Sequence, residues 1–344
     1  MTQPGALRVR VREVVRETAE AHSLVLEPAD GGTLAYRPGQ FLTVRVPAGG
    51  GGAAARCYSL ASSPLTGEPP KVTVKRTRDG FGSNWICDHV IAGDHLDVLR
   101  PSGTFTPDDL GQDLLLLAGG SGITPVMSIL KSCLHGGNGR LTLLYANRDE
   151  ASVIFRDELA DLAARSGERL TVLHWLESVQ GRPTAGALRA LLRPHADRPA
   201  YLCGPAPFMD LLREALDGLG VPGRQVHSER FFSLTTDPFT HPGPTEEPAG
   251  DGPAATVEAT LDGATHTLAW PRGRRLLDVL LEAGIDAPYS CREGACSACA
   301  CVLTKGEVEM EHNEVLDRAD LDDGIVLACQ SVPVSDRVEV TYDA

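Results

Sequence analysis

Long apolar segments are missing from this 344-residue chain. No window of eighteen or more uncharged apolar residues occurs, so the sequence predicts no membrane-spanning helix. The first ten residues, Met1–Arg10, lack the apolar stretch of a secretory signal, and we expect a cytoplasmic protein that does not act at a membrane. Basic residues are also few, since 32 Lys and Arg stand against 46 Asp and Glu and the net charge is −14. This acidic balance argues against nucleic acid as a partner.

Four cysteines near the end of the chain carry the clearest chemical signal. Cys291, Cys296, Cys299 and Cys329 have the spacing C-x4-C-x2-C-x29-C, which is the thiolate pattern of a plant-type [2Fe–2S] cluster. Glycine and small residues between the first three allow backbone N–H groups to approach the sulfurs. Structural zinc is an alternative, but zinc ligands usually come as two C-x2-C pairs and only one such pair is present. We predict that these cysteines hold the cluster and that the chain transfers single electrons.

The remaining cysteines do not suggest disulfides. The chain has nine cysteines, and an odd number without a secretory signal indicates a reducing compartment. Cys301 lies beyond the cluster loop on a predicted strand, facing opposite to Ala300 and Val302, so we do not expect it to be a ligand. The simplest interpretation of four thiols is that they are buried or half-buried: Cys57, Cys87, Cys133 and Cys301.

Periodicity and turn density divide the chain into three predicted domains. Residues 1–107 contain short strands between Gly and Pro turns, as in an all-β barrel. Residues 108–235 alternate apolar strands with helices, which predicts a doubly wound α/β domain. Residues 236–253 hold five prolines and three glycines and are predicted to be a linker. Residues 254–344 have the strand, strand, helix, loop, strand order of a β-grasp ferredoxin.

The predicted barrel carries residues suited to a flavin. Arg56 can neutralise a pyrophosphate, Tyr58 can lie against an isoalloxazine ring, and the Ser59 hydroxyl can bond near N5. Tyr58 and Ser59 lie on a predicted strand over Cys57–Ala61. Gly82 and Ser83 begin a predicted helix, and helix starts of this composition bind phosphate. An ordinary strand aromatic and an ordinary helix cap are the structural alternatives, but the combination in one barrel favours FAD.

The predicted α/β domain carries a glycine-rich turn after its first strand. The turn is not G-x-G-x-x-G, so the usual dinucleotide fingerprint is absent, but glycines still let a pyrophosphate approach a helix N-terminus. Thr124 is the predicted helix cap, and a Cys-Gly-Pro sequence ends a later strand at the same edge of the sheet. Cys203 is then a candidate contact to the nicotinamide, with a core thiol as the alternative. The candidate nucleotide-binding residues are Gly119, Gly120, Gly122, Thr124, Cys203, Gly204 and Pro205.

Taken together, these motifs resemble those of ferredoxin–NADP⁺ reductase-like oxidoreductases with a C-terminal ferredoxin domain, over essentially the whole chain. Within that family the sequence is most similar to reductase components of 3-ketosteroid 9α-hydroxylases, and it is also similar to phenylacetyl-CoA epoxidase reductases. The segments that carry the closer resemblance are Ser83–Trp85, Leu144–Arg148, Val172–Ser178, Asp286–Gly294 and Val338–Tyr342.

The resemblance implies an electron route and further site residues. Hydride passes from NADH to FAD, and single electrons then pass through the cluster to a terminal oxygenase, so no side chain need act as acid, base or nucleophile. Glu229 is implied near the nicotinamide and Phe231 over the flavin, beside Ser59 and Cys203 where hydride arrives. From the residues alone, Phe231 would be a core aromatic. A flavin and iron–sulfur redox sensor is an alternative of another class, but the module that would bind DNA or an effector is not visible.

The choice between NADH and NADPH rests on three charged residues after a predicted strand. Arg148 could bind the 2′-phosphate of NADPH, whereas Asp149 and Glu150 would repel it or bond a 2′-hydroxyl. All three could also be solvated loop charges. The steroid hydroxylase reductases point to NADH and the epoxidase reductases to NADPH. We predict NADH as the donor.

Negative charge is concentrated in the predicted ferredoxin domain. From Pro253 onward there are 7 Lys and Arg and 17 Asp and Glu, a net charge of 7 − 17 = −10. Such a surface can simply keep a protein soluble. Because it shares a domain with the predicted cluster, we expect it to be a docking face for a basic protein partner.

Overall fold

A computed structural model describes residues 6–47, 52–231, 234, 237–239, 253–316 and 318–343. These form two compact units, one spanning Leu7–Ser233 and the other comprising the described residues from Leu234 onward. The predicted linker, residues 236–253, lies mostly outside the described residues. Within the described parts of the chain, no helix is both long enough and apolar enough to cross a bilayer.

The first half of the larger unit is a six-stranded antiparallel barrel-like sheet, as predicted. Its strand order is β4-β3-β6-β1-β2-β5, and apolar side chains such as Val11, Leu26 and Val98 fill its interior. The elements are β1 (Ala6–Arg16), β2 (Ala21–Pro28), β3 (Phe41–Pro47), β4 (Ala53–Ser59), β5 (Lys71–Lys75), α1 (Phe81–His89) and β6 (His95–Leu99).

The strand expected at Cys57–Ala61 lies earlier in the chain. β4 runs from Ala53 to Ser59 because it pairs with β3 from Pro47↔Ala53 to Phe41↔Ser59. Alanines at its start carry no apolar alternation, so periodicity did not reveal them. Leu60 makes only an isolated bridge to Val72.

The second half of the larger unit is a five-stranded parallel sheet with flanking helices, the predicted doubly wound arrangement. The strand order is β11-β10-β7-β8-β9, so the order reverses between β7 and β10. Ligands bind at such a switch point, outside the carboxyl ends of the strands. The elements are β7 (Leu114–Gly119), α2 (Ile123–Gly136), β8 (Leu141–Asn147), α3 (Arg156–Ser166), β9 (Leu170–Leu176), α4 (Glu177–Gln180), α5 (Ala185–Leu192), β10 (Ala200–Cys203), α6 (Ala206–Asp217) and β11 (Val226–Glu229).

The smaller unit has the topology of a β-grasp. Its main sheet has the order β13-β12-β18-β14-β16, in which β12 and β18 are parallel, and β15 pairs with β17. Leu276, Leu277 and Leu280 of its first helix are buried in the unit's core. The elements are β12 (Ala255–Leu261), β13 (Ala264–Trp270), α7 (Leu276–Glu282), β14 (Ala300–Lys305), β15 (Val308–Met310), α8 (Arg318–Asp322), β16 (Ile325–Leu327), β17 (Ser331–Pro333) and β18 (Arg337–Thr341).

A buried charge network joins the barrel to the α/β half within the larger unit. The Lys131 side chain is only 6% exposed, and its Nζ lies 2.8 Å from Glu68 Oε1 and 3.1 Å from Glu158 Oε1. Lys71 Nζ lies 2.9 Å from the other oxygen of Glu158. Burial alone would raise the pKa of Glu158, but Lys131 and Lys71 outweigh it and hold that pKa below its usual value. A buried cation is tolerated here because carboxylates surround it.

Replacing Glu158 with glutamine should lower the free energy of unfolding by roughly 1–3 kcal/mol at neutral pH, because Lys131 loses a buried partner. A carboxyl whose pKa is lowered by folding stabilises the native state above about pH 4.3, and that contribution disappears as pH falls through the native pKa. Urea unfolding of wild type and Glu158→Gln from pH 7 to pH 3 should therefore show a shrinking difference. The exposed Glu168→Gln is the matched control, and a Glu158 effect independent of pH would contradict this account.

Candidate cofactor and cluster sites

The barrel brings Arg56 against the start of α1. Arg56 and Tyr58 are separated by one residue on β4 and therefore lie on the same face of the strand. A Cβ atom at Gly82 would lie 2.9 Å from Arg56 Cγ, so only glycine allows the arginine stem to cross the helix start here. Ser83 Oγ accepts a 3.0 Å hydrogen bond from the Thr77 N–H and keeps its own proton to donate. This cradle of guanidinium, backbone and hydroxyl suits a phosphate.

The opposite face of β4 lines a pocket within the larger unit. Ser59 is buried and lies in this pocket with Cys57, Phe41, Glu229 and Phe231. Phe231 is 46% exposed. It is therefore not the core aromatic that its sequence context alone suggested. Three residues predicted near hydride transfer therefore share one pocket: Ser59, Glu229 and Phe231.

Tyr58 contributes a half-buried aromatic ring that packs against the barrel core. Burial raises the pKa of its phenol, and the nearby Arg56 only partly offsets this. The hydroxyl therefore stays protonated at physiological pH and can act as a hydrogen-bond donor.

The two turns at the switch point of the parallel sheet touch each other. A Cβ atom at Gly122 would lie 2.0 Å from the carbonyl oxygen of Cys203, and a Cβ atom at Gly204 would lie 3.1 Å from the backbone of Gly119. Gly120 has a φ of +53°, a left-handed conformation that favours glycine. The close approach of the two turns thus favours glycine at positions 122 and 204. A glycine-lined helix N-terminus of this kind suits a pyrophosphate.

Thr124 is not the helix cap that the sequence predicted. The helix begins at Ile123 with Gly122 as the cap, because a 3₁₀ turn over Gly120–Gly122 runs directly into it. Thr124 Oγ1 instead donates to the carbonyl oxygen of Ser121 over 3.0 Å. Its hydroxyl therefore stiffens the glycine turn from inside the helix.

A buried amide at the end of β8 is consistent with a bound nucleotide at this edge. Asn147 is 6% exposed, and its amide lies beside the Tyr145 hydroxyl, although within the described chain no hydrogen bond of good geometry forms at either amide atom. The neighbouring Tyr145 hydroxyl donates elsewhere, to Gly120 O over 3.1 Å. Buried polar groups are nearly always satisfied, so we expect the Tyr145 hydroxyl, a water or a ligand group to bond the Asn147 amide. Asn147 was not among the predicted site residues, because an asparagine at a strand end carries no distinctive signal.

The neighbours Cys203 and Glu229 lie side by side on β10 and β11. They are register partners in the parallel ladder, although periodicity alone did not identify the short strand Val226–Glu229. Cys203 is fully buried, and burial raises the pKa of its thiol. Glu229 is half-buried in the pocket wall, and this raises its pKa to about 8. At neutral pH the thiol is therefore neutral, and the Glu229 carboxyl is mostly protonated and able to donate a hydrogen bond.

In the smaller unit, the four predicted cluster ligands converge. Cys291 lies within hydrogen-bonding range of Cys296 and Cys329, and Cys329 within range of Cys299. All four are buried.

Backbone N–H groups point at these sulfurs, the environment that suits a cluster. Cys291 Sγ accepts from Glu293 N at 3.3 Å and Ala295 N at 3.4 Å, and Cys296 Sγ accepts from Cys291 N at 3.3 Å. Positive φ angles at Arg292, Gly294 and Ser297 turn the loop to make this possible. Such donors stabilise thiolates and help to set a cluster's reduction potential.

Cys329, the fourth predicted ligand, and Cys301, which is predicted not to be a ligand, have different surroundings. Cys329 Sγ accepts a 3.5 Å hydrogen bond from Gln330 Nε2, a contact that sequence reasoning did not find. Cys301 lies on β14 between the more exposed Ala300 and Val302, as the predicted alternation requires. Its thiol lies beside Tyr342, and burial raises its pKa.

Comparison with protein-family models gives three matches along the chain. Residues 6–106 match an oxidoreductase FAD-binding domain, residues 116–214 an oxidoreductase NAD-binding domain, and residues 259–334 a 2Fe-2S iron-sulfur cluster binding domain. The predicted cofactors FAD, NADH and a [2Fe–2S] cluster are thereby confirmed at the level of domains.

Curated relatives and solved structures agree with this architecture. The ferredoxin reductase component of 3-ketosteroid-9-alpha-monooxygenase from Mycobacterium tuberculosis is 57% identical, covering 98% of this chain and 96% of the relative. A component of the 1,2-phenylacetyl-CoA epoxidase of Escherichia coli is 34% identical, covering 90% and 89%. Phthalate dioxygenase reductase, described as a modular structure for electron transfer from pyridine nucleotides to [2Fe–2S], is 26% identical with a TM-score of 0.58, covering 99% and 100%.

These likenesses span almost the whole chain and join its three kinds of domain in one order. The resemblance inferred from the sequence motifs is confirmed. The chain belongs to the family of flavin- and iron–sulfur-dependent reductases that includes the ferredoxin reductase components of 3-ketosteroid-9-alpha-monooxygenase.

Proposed function

We propose that this reductase delivers electrons from NADH to the terminal oxygenase of a 3-ketosteroid 9α-hydroxylase, an oxygenase of the Rieske type. The observation that carries the proposal is 57% identity over 98% of the chain to such a component, against 34% for the epoxidase relative. When bound, FAD accepts two electrons as hydride and releases them one at a time to the [2Fe–2S] cluster. A nicotinamide alone cannot release its electrons one at a time. The protein's own residues bind, align and shield these groups.

Reconstitution tests the proposed partner directly. The holoprotein is combined with NADH, a 3-ketosteroid and a purified 3-ketosteroid 9α-hydroxylating oxygenase, and the hydroxylated steroid is measured. In a parallel arm, the oxygenase subunits of a phenylacetyl-CoA epoxidase receive their own substrate. We expect steroid product at a rate well above the epoxide arm. Epoxide formation without steroid hydroxylation would reassign the chain to the epoxidase system.

We infer that the residues brought together at the pocket align hydride transfer. Ser59, which lines the pocket, suits a hydrogen bond near the flavin N5, and Phe231 can cover the ring and exclude water. Cys203 and Glu229 occupy neighbouring strand ends where the nicotinamide should lie. Arg56 with Gly82 and Ser83 would hold the FAD phosphates. The nicotinamide dinucleotide's pyrophosphate would lie at Gly119, Gly120, Gly122 and Thr124, against Gly204 and Pro205.

The raised pKa of Glu229 predicts a pH dependence. Below about pH 8 the carboxyl is protonated and can donate a hydrogen bond, and above it a half-buried negative charge would stand where the nicotinamide is proposed to lie. Stopped-flow rates of flavin reduction by NADH should fall about tenfold as pH rises through this value, which corresponds to about 1.4 kcal/mol of barrier. In the Glu229→Gln variant the rate of flavin reduction should no longer fall across this pH range. A fall of the same size in the variant would assign the titration to another group.

We further propose that an acidic segment, residues 307–314, docks the oxygenase beside the predicted cluster ligands. Gly294 O accepts a hydrogen bond from Glu314 N at 3.0 Å, and Gln330 O accepts one from Glu311 N at 3.0 Å. These bonds hold the exposed segment against residues next to the predicted ligands Cys291, Cys296 and Cys329. The Glu311 carboxylate is paired with Arg275 at 2.8 Å, whereas Glu309 is exposed and is not part of a described ion pair. Glu309 and Glu307 therefore contribute more to an attractive field than Glu311.

Docking through charge predicts that electron delivery depends on salt. Exposed charges are screened over roughly 8–10 Å at physiological ionic strength, and steering acts mainly on encounter rate. We expect delivery to the oxygenase to slow roughly tenfold from low to high salt, while flavin reduction by NADH in the same buffers changes much less. Glu307→Lys and Glu309→Lys should weaken delivery more than the control Glu168→Lys on the larger unit. Delivery indifferent to salt would leave the acidic surface a solubility feature.

A further inference from the structure

An ion pair connects the barrel to the end of β8 within the larger unit. Glu20 lies in the turn between β1 and β2, and its Oε2 is 2.5 Å from Nη2 of Arg148. Arg148 directly follows β8, whose neighbour β7 leads into the glycine turn. Glu20 of the barrel therefore supplies the counter-charge for Arg148, the first residue after β8 in the parallel sheet.

The end of this strand is where an adenosine ribose is expected. In doubly wound sheets that bind dinucleotides, the residues following the second strand contact the 2′ position, and an arginine there accommodates a 2′-phosphate. Asn147, the residue before Arg148, places a buried amide beside the Tyr145 hydroxyl at this strand end, with no hydrogen bond of good geometry in the described chain. Arg148 is thus the cation that a 2′-phosphate would use.

The other charges at this edge are already defined by the structure. Asp149 Oδ1 accepts a 2.9 Å hydrogen bond from Ser152 N, so one of its oxygens stabilises the turn after β8. Lys75 of β5 lies beside Gly120, 3.6 Å from where a Cβ would stand. Burial, and then Arg148, lower the pKa of Lys75, while Glu20 and Asp149 oppose this. These four charges therefore act on one another around the glycine turn.

We propose that Glu20 is a specificity-determining residue that favours NADH by occupying the Arg148 guanidinium. With Glu20 in place, NADPH must break the ion pair before its 2′-phosphate gains a cation, whereas NADH requires no such exchange. The pair is solvent-accessible, with side-chain exposures of 45% for Glu20 and 59% for Arg148. Exposed pairs of this kind shift an equilibrium by up to about fivefold, and that sets the size of the effect. This inference concerns the nucleotide and does not depend on which oxygenase is the partner.

The test is a double-mutant cycle on the full holoprotein with Glu20→Gln, Arg148→Gln and the combination. The first readout is the kcat/KM for NADH and NADPH with ferricyanide as acceptor. The second is the calorimetric Kd of 2′,5′-ADP relative to 5′-AMP, which reports the 2′-phosphate without turnover. Glu20→Gln should raise the NADPH to NADH selectivity ratio about fivefold, through KM rather than kcat, and should tighten 2′,5′-ADP by the same factor.

The Arg148→Gln background decides how Glu20 acts. If Glu20 works by holding Arg148, removing it should gain nothing once the guanidinium is gone. An equal gain in that background would mean that Glu20 repels the phosphate directly, and this would overturn the proposal, as would an unchanged ratio in Glu20→Gln alone. Glu27→Gln is the matched control because it removes the same charge from a similar pair, with Arg10, about 20 Å along the same hairpin. A gain of equal size there would show a general charge effect and would likewise overturn it.

Discussion

Replacing Cys329 with alanine is expected to abolish the visible absorption and the reduced-state paramagnetic signal of the cluster, while NADH still reduces the flavin. The Cys329 thiol lies within hydrogen-bonding range of Cys291 and Cys299. Its loss would leave the cluster with three of its four predicted protein ligands. Flavin and nicotinamide binding depend on the larger unit, which contains none of these cysteines. Reduction of a one-electron protein acceptor should fall to background, and hydride transfer should persist.

The control for this experiment is Cys301→Ala, which removes a buried thiol only two residues from Cys299. Cys301 packs beside Tyr342 on the strand that follows the loop, so the variant should keep its cluster spectrum. Iron and sulfide analysis of both proteins, with absorption and electron paramagnetic resonance, checks the pair. Cluster loss in Cys301→Ala with retention in Cys329→Ala would refute the ligand assignment.

Replacing Gly122 with alanine should have the second large effect, on hydride transfer. The new Cβ would stand 2.0 Å from the Cys203 carbonyl oxygen and 2.3 Å from its carbon, so the two turns must separate. Both turns are backbone and cannot yield by a side-chain rotation. A displacement of about 1 Å at a site that orients reacting groups costs on the order of 100-fold in rate. We expect that loss in stopped-flow flavin reduction by NADH, with the flavin and cluster spectra unchanged.

Gly186 provides the matched substitution, because it lies on α5 and a Cβ atom there would meet nothing within 4 Å. Alanine is the better helix former, so the Gly186→Ala variant should fold as the wild type does. It should therefore reduce its flavin at the wild-type rate. Wild-type rates in Gly122→Ala would show that the turns are not part of the nucleotide site. A lost flavin spectrum in that variant would instead point to unfolding of the whole unit.

The sequence predicted features that depend on local spacing. Cysteine spacing led to four thiols that converge, and glycine runs led to turns that touch at Gly122 and Cys203. The apolar run Leu114–Leu117 led to a central parallel strand that is fully buried. Each of these is determined by residues close together in the chain, or by a pattern whose physical requirement is strict.

Features that depend on distant pairing were missed. Nothing in the turn around Glu20 indicates that it meets Arg148, which is 128 positions away. The strand Val226–Glu229 has no periodicity of its own and forms because β10 offers it an edge, so Glu229 reached the candidate site only through family resemblance. Thr124 was taken for a cap because the sequence does not show that a 3₁₀ turn precedes the helix.

Anaerobic titration of the holoprotein with NADH tests the central claim, an electron path from nicotinamide through flavin to cluster within one chain. With FAD taking two electrons and the cluster one, the protein should accept about three electrons, or about 1.5 NADH per chain, and finish with both the flavin bleached and the cluster signal present. A chain that bleaches its flavin with one NADH and leaves an intact cluster oxidised would contradict the account.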